Sequence, residues 1–176
     1  MMKDEQTCNT IQAATAARPS LTLVIGLGNP ILGDDGVGWK VAQAVKTVIS
    51  HQPSVEVDCL SLGGLSLMER MLGYQKVVIV DSMETGQSPE GSVSMFPLAA
   101  LPNPSAGHSA SVHDMSLITA LDTAKAMGLP VPESVEIVAI EARNVYEFSE
   151  ELSPSVAEAV PLAMQAVINL LNKEEP

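Results

Sequence analysis

The chain has 176 residues, 46% of them hydrophobic, and its 9 Lys and Arg residues stand against 21 Asp and Glu residues for a formal net charge of -12. This length is sufficient for one domain with its own hydrophobic core. Because proteins gain much of their affinity for nucleic acids from cations that neutralise phosphates, the acidic balance argues against a DNA or RNA partner. The two cysteines show no metal-binding spacing, which favours a reducing compartment and predicts that Cys59 is an inert core residue.

Residues 1–20 differ from the rest of the chain, because they are rich in Thr, Ala and Gln and show no periodicity. They lack the apolar segment of a secretory signal, and we predict a flexible N-terminal leader. Residues 21–172 are predicted to form the single folded domain. No uninterrupted run of about 18 apolar residues occurs, which predicts a cytoplasmic protein without a membrane partner.

Short apolar runs and longer periodic runs alternate along the domain. The predicted strands span residues 21–26, 54–60, 76–81, 91–96 and 134–141, and the fourth of them is expected to be an edge or hairpin strand. The predicted helices run from about Asp35 to Val48, over a short segment after Gly64, from near Asp114 to Met127, and from the N-cap Ser153 with Pro154 at the first helical position.

This alternation predicts an α/β fold, with a twisted, mainly parallel sheet and helices on both faces. Ligands of such sheets bind beyond the carboxyl ends of the strands, where the strand order reverses. With the strand order 2-1-3, the loops that follow the first and third strands are neighbours. Asp35 follows the first strand and Asp81 ends the third, so both carboxylates are expected at this point.

His113 is the histidine with the most informative context, because it directly precedes the predicted helix, next to Ser111 and Asp114 in capping-box spacing. The helix dipole disfavours the protonated imidazole there, which leaves a neutral ring suited to a metal ion. Two carboxylates and one imidazole form a weak site for a divalent first-row metal, with open positions. The alternative is structural: Asp34 or Asp35 caps the helix, Asp81 caps a turn and His113 is exposed. His51 and His108 are expected in solvated loops.

The run GLGNPILGDDGVG, residues 26–38, resembles the signature of the nickel-iron hydrogenase maturation proteases. Further matches follow in order: Asp81, the Gly91-Ser92-Val93 strand, His113, the Leu129-Pro130 turn and Leu152-Ser153-Pro154. The resemblance implies an endopeptidase that removes the C-terminal extension of the hydrogenase large-subunit precursor once nickel is in place. It also implies that the precursor contributes the nickel and that the metal-sensing triad is Asp35, Asp81 and His113.

Within this resemblance, the first acid of the pair, Asp34, is left to loop hydrogen bonds or capping. Asp35 and Asp81 are also the candidates for catalytic groups, although the nucleophile is left open. The remaining motif residues are expected to support the loops, namely Gly26, Gly28, Asn29, Gly36 and Gly64. The protein is expected to act as a monomer.

Cys59 departs from the family pattern, because it stands where an acidic residue usually follows the second strand. This departure keeps open an alternative, a non-catalytic nickel-sensing or docking protein of the same fold. A more remote alternative is peptidyl-tRNA hydrolase, which shares the Gly-Leu-Gly-Asn-Pro run, but this chain has no histidine before His51 and its net charge opposes tRNA. A dinucleotide-binding loop would require a third glycine where Ile31 stands.

The two histidines of the polar segment are predicted to differ in their effect on precursor processing. His113→Ala should abolish processing and leave the melting temperature nearly unchanged, because a solvent-facing ligand contributes little to the core. His108→Ala, the matched control, should process nearly normally. Intact mass of the precursor and a melting curve measure the two effects, and normal processing by His113→Ala would remove this histidine from the site.

Overall fold

The structure is a computed structural model that describes residues 21–49, 52–101 and 112–173, with residues 112–116 described in their backbone only. The predicted leader, residues 1–20, lies outside the described residues, as do His51, His108 and Ser111. The described chain forms a single α/β domain.

Five strands form one sheet in the order β2-β1-β3-β5-β4. The strands are β1 Thr22–Leu27, β2 Val55–Leu60, β3 Lys76–Met83, β4 Val93–Pro97 and β5 Ser134–Glu141. All neighbours are parallel except β4, which pairs antiparallel with β5 at the sheet edge. The order β2-β1-β3 makes β1 and β3 neighbours, which is the condition under which the loops after them are expected to lie next to each other. Strand β4 is the expected edge strand, but it does not form a hairpin with β3.

Three α-helices lie in the connections between strands, α1 Val37–Val48, α2 Gly64–Met71 and α3 Val112–Ala126, and a fourth, α4 Pro154–Asn172, follows β5. Helix α1 begins two residues later than predicted, because Gly33–Gly36 first form a 3-10 turn that contains Asp35. Helix α3 begins earlier than predicted, so His113 is its second residue and not the residue before it. Helix α4 has Ser153 as its N-cap and Pro154 in its first turn, as predicted, and it includes Pro161.

The core has two parts, one on each face of the sheet. On one face, alternate residues of β1, β3 and β5, including Val24, Val78 and Val138, pack under α1 and α4. On the other face, the intervening residues, including Ile25 and Ile79, pack with residues of α2 and α3. Strands buried on both faces explain the continuous apolar runs of the sequence.

Helix α4 is the one described helix that is long and apolar enough to cross a membrane, by length and composition only, with a mean hydropathy of 1.3. Its residues Val156, Ala159, Ala163, Ala166 and Val167 are buried in the core that it shares with α1. These residues form one buried face of the helix, and 28% of its apolar window is buried.

The outer strand β2 carries two carboxylates, Glu56 and Asp58, that are both bound by Arg70 of α2. The guanidinium also donates to the hydroxyl of Tyr74, which itself donates to Glu56. Charged side chains on an outer strand discourage pairing with a further strand. This charged cluster therefore disfavours the pairing of another strand with β2.

Helix α1 approaches the sheet at backbone distance. A Cβ atom at Gly38 would lie 2.2 Å from the carbonyl oxygen of Leu27 and 2.4 Å from that of Val80, and one at Gly26 would lie 2.2 Å from the carbonyl oxygen of Gly38. Gly26 is thus the strand residue that admits the helix, and it lies within the strand predicted for residues 21–26. The contact seats the start of α1 against both β1 and β3.

We predict that Gly38→Ala destabilises the protein although it increases helix propensity. Alanine would gain about 1 kcal/mol of intrinsic helix stability, but overpacking against backbone atoms costs about 3 kcal/mol, so the net loss should be about 2 kcal/mol. Urea unfolding measures it. Gln43→Ala, at an exposed position of the same helix, is the control and should leave stability unchanged or slightly higher. Equal stability of Gly38→Ala and wild type would contradict this packing.

Candidate functional site

Four carboxylates lie at the carboxyl edge of the sheet: Asp34 and Asp35 after β1, Asp81 near the end of β3, and Glu141 at the end of β5. Asp34, Asp81 and Glu141 are buried, whereas Asp35 is half-buried. Burial of a carboxylate is costly unless other groups bind it, so the partners of each side chain indicate its task.

Asp35 is held by two donors and keeps part of its surface in solvent. The backbone N–H of Asn29 donates to Oδ2 at 2.6 Å, and the hydroxyl of Ser82 donates to Oδ1 at 3.3 Å. The turn that brings Asn29 there requires Gly28, which has φ 120° and where a Cβ atom would lie 1.7 Å from the carbonyl oxygen of Asp35. With one donor shown on each oxygen, the carboxylate retains lone pairs for a further ligand.

Asp81 lies within β3 and not at its end, because β3 continues to Met83 along the equally long β5. The pairing of β3 with β1 stops at Val80, so Asp81 is the first residue of β3 after that pairing. Its Oδ1 accepts the backbone N–H of Ser82 at 2.9 Å. Ser82 therefore contacts both carboxylates, Asp35 through its hydroxyl and its sequence neighbour Asp81 through its N–H.

The backbone places His113 in the first turn of α3, and the side chain of His113 lies outside the described residues. Helix α3 covers the sheet face to which Val77 and Ile79 contribute, and strand alternation puts Asp81 on that same face. Among the side chains that are described, no three His, Cys, Asp or Glu groups are arranged to hold a metal ion. The triad stays a prediction, and two of its predicted members, Asp35 and Asp81, each contact Ser82.

Asp34 fastens the turn to a distant part of the chain. Its Oδ1 accepts the N–H of Ser153 at 2.7 Å, and its Oδ2 accepts the hydroxyl of Ser153 at 2.8 Å and the N–H of Asn144 at 3.3 Å. The expected loop hydrogen bonds are thus present, but they join the turn to the start of α4. Asp34 therefore has a structural task in the segment that contains Asp35.

Glu141 performs a similar task on the other side of Asp81, and the sequence reasoning missed it. Its carboxylate accepts the N–H and the hydroxyl of Thr85 at 3.0 and 2.7 Å and the N–H of Gly86 at 2.7 Å. These bonds fix the loop that leaves β3. The signal was available, since Glu141 ends an apolar strand, as Asp81 was expected to do.

Cys59 is half-buried rather than fully buried and packs against the core cluster under α1 and α4. Its thiol is directed at the carbonyl oxygen of Trp39, with an S···O distance of 3.8 Å, and burial raises the pKa of this thiol above its ordinary value. A protonated thiol is a poor nucleophile. The adjacent carboxylate, Asp58, is bound by Arg70 at 2.7 Å.

The remaining predicted support residues lie in turns at this edge. A Cβ atom at Gly36 would lie 3.0 Å from Cα of Pro30, and Gly64 has φ 55° at the start of α2. Ser61, in the loop between β2 and α2, donates its hydroxyl to the carbonyl oxygen of Gly28 at 2.7 Å. The loops after β1 and β2 are thereby joined next to Asp35.

Comparison with known proteins gives consistent results. A family model described as hydrogenase maturation protease matches residues 39–170. The hydrogenase expression/formation protein HupD of Rhizobium leguminosarum bv. viciae is 21% identical over 149 residues, or 85% of this chain and 73% of that protein.

Solved structures show the same fold. The hydrogenase maturating endopeptidase HybD from E. coli has a TM-score of 0.69 at 21% identity, covering 86% of this chain and 91% of that one. The hydrogenase 2 maturation peptidase from a Thaumarchaeota archaeon has a TM-score of 0.60 at 29% identity, covering 88% and 99%.

The contacts of the two neighbouring aspartates predict unequal effects on stability. Both oxygens of the buried Asp34 carboxylate accept hydrogen bonds. In Asp34→Asn, the side-chain amide nitrogen would replace one of these acceptors and face a hydrogen-bond donor, so the free energy of unfolding should fall by about 1–3 kcal/mol. Asp35→Asn keeps an oxygen for Asn29 in a half-exposed position and should lose less than about 1 kcal/mol. Urea unfolding compares them.

A double-mutant cycle with Ser153→Ala tests the source of the Asp34 effect, since coupling between Asp34 and Ser153 makes the two losses non-additive. Additive losses, or a larger loss in Asp35→Asn, would contradict the assignment of Asp34 as the fastening residue.

Proposed function

Because the chain belongs to the hydrogenase maturation protease family, we propose that it is an endopeptidase that removes the C-terminal extension of a nickel-iron hydrogenase large-subunit precursor after nickel insertion. The observation that supports this most directly is that Ser82, at the carboxyl edge of the sheet, contacts Asp35 through its hydroxyl and Asp81 through its N–H. We propose that the enzyme works in the cytoplasm as a monomer, on a protein substrate and without nucleic acid or membrane.

In this proposal the nickel belongs to the substrate, where thiolates of the precursor hold it. Asp35, Asp81 and His113 would add two oxygens and one imidazole nitrogen to its ligands. Carboxylate and imidazole suit a divalent first-row metal but compete poorly with thiolates for a soft one. The protease would therefore read the metal without removing it.

The role of the chain in the reaction is to position the precursor. Asp35 is oriented by the N–H of Asn29 and the hydroxyl of Ser82, and its turn is fastened through Asp34 to the start of α4. A fixed ligand array binds the metal in one orientation, which places the scissile peptide bond by geometry rather than by a sequence-reading pocket. Cleavage then depends on a loaded metal site, which makes the enzyme a checkpoint for nickel insertion.

The test is incubation of the full-length protein with nickel-loaded and nickel-free precursor, read by intact mass. Only the loaded precursor should lose its C-terminal peptide. Asp35→Asn should reduce processing by more than about 100-fold. Loss of a metal ligand should cost more than loss of a residue that only hydrogen-bonds to a ligand, which typically costs about 10- to 100-fold. Asp34→Asn is the matched control and should retain most of the rate per folded molecule, measured after its folded fraction is determined.

Equal shortening of the nickel-free precursor would contradict nickel recognition. Binding of the loaded precursor without any shortening would instead identify a nickel-sensing or docking protein. A stronger effect of Asp34→Asn than of Asp35→Asn, per folded molecule, would place the metal ligand on the other aspartate.

A further inference from the structure

Three exposed apolar side chains lie on two hydrogen-bonded segments beside the turn that contains Asp34 and Asp35, and are here called the aromatic patch: Ile31, Tyr146 and Phe148. Tyr146 is 82% exposed and Phe148 is 85% exposed, and Ile31 is 47% exposed. The whole chain has only five aromatic residues, one Trp, two Tyr and two Phe, so two of the five face solvent within three positions. An exposed cluster of this kind marks an interaction surface more often than isolated exposed residues do.

The backbone that carries the aromatic patch is firmly held. Ser149 donates its N–H to the carbonyl oxygen of Ile31 at 3.1 Å, and its own carbonyl oxygen accepts the N–H of Gly33 at 2.7 Å. Val145, which directly precedes Tyr146 in the segment after β5, is buried in the core cluster under α1 and α4. The patch is therefore displayed on a fixed framework, which reduces the conformational entropy lost when a partner binds.

The same hydrogen bonds connect the aromatic patch to the 3-10 turn Gly33–Gly36, which contains Asp35. Gly33 begins the 3-10 turn that contains Asp34 and Asp35, and the N–H of Asp34 donates to the carbonyl oxygen of Asn144 at 3.1 Å. A Cβ atom at Gly33 would lie 2.6 Å from that carbonyl oxygen. The two segments thus pack at backbone distance, and a partner seated on the patch would be positioned relative to Asp35.

The charges around the aromatic patch select the kind of partner. Residues 142–153 contain three exposed glutamates, Glu147, Glu150 and Glu151, and one cation, Arg143. The chain as a whole carries a formal charge of -12. An acidic border around apolar anchors is complementary to an apolar depression bordered by Lys and Arg side chains.

We propose that the aromatic patch is the docking surface for the nickel-loaded large-subunit precursor, with Tyr146 and Phe148 as its anchors and a basic border on the precursor facing the glutamates. This inference rests on the proposed function. It adds that the affinity for the precursor comes from this patch, while Asp35 and Asp81 report the state of the metal.

The experiment compares wild type with the double variant Tyr146→Ser/Phe148→Ser as full-length proteins. Processing of nickel-loaded precursor is measured over a range of precursor concentrations, and binding is measured separately in an Asp35→Asn background. Buried aromatic anchors of interfaces commonly contribute a tenfold effect or more when truncated. KM and Kd should therefore rise by about tenfold or more, with kcat and the unfolding midpoint close to wild type.

Two controls separate docking from general effects. Met127→Ser and Leu162→Ser remove exposed apolar side chains elsewhere on the protein, which are 72% and 64% exposed, and should leave KM unchanged. Replacement of the three glutamates by Gln should increase KM and reduce its dependence on salt concentration, because screening acts on exposed charge pairs.

The outcomes distinguish this inference from the proposed function. If wild type processes the precursor and the double variant does so with unchanged KM, the docking surface is wrong while the function stands. If wild type does not process but binds, and the double variant does not bind, the docking surface stands without proteolysis. A fall in kcat alone would also overturn the inference. So would sedimentation analysis that shows a dimer for wild type and a monomer for the double variant.

Discussion

The backbone contact between helix α1 and strands β1 and β3 is the constraint on which the site depends. Because Gly26 and Gly38 have no side chains, the helix lies against the carbonyl groups of Leu27 and Val80. This contact fixes the distance from the end of β1 to the start of α1, and the turn that joins them contains both aspartates. The position of Asp35 relative to Asp81 is therefore set by this packing. A methyl group added at Gly26 or Gly38 would displace α1 and, with it, the turn that contains Asp35.

The four carboxylates of this edge differ in task because they differ in partners. Asp34 and Glu141 each accept three hydrogen bonds and each fix a loop, on opposite sides of β3. Asp35 is oriented by two donors and stays half-exposed. Carboxylates that look alike in the sequence thus differ in the structure: Asp34 and Glu141 fasten loops, and Asp35 stays half-exposed, which is why we propose it as a metal ligand.

The sequence predicted the fold and its family well, because strand-helix alternation and an ordered set of motifs reflect covalent order and local propensity. The mainly parallel sheet and the N-cap Ser153 are examples. Contacts between distant segments could not be predicted in this way. Nothing local to Asp34 indicates a bond to Ser153, 119 positions away, and nothing local to Asp81 indicates that β5 would extend β3 past it. The aromatic patch was missed for a related reason, since Val145 and Tyr146 are adjacent in sequence and only the structure shows which one faces solvent.

Under the proposed function, a protease that reads a metal on its substrate faces opposing requirements. Strong ligands would extract the nickel from the precursor thiolates, whereas the O2N set of Asp35, Asp81 and His113 is too weak to do so and too weak to hold a protein partner on its own. Affinity must then come from a surface outside the metal site. A rigid apolar patch with an acidic border, hydrogen-bonded to the turn that contains Asp35, meets this requirement. Separating affinity from metal reading lets the enzyme engage every precursor and select among them by the metal alone.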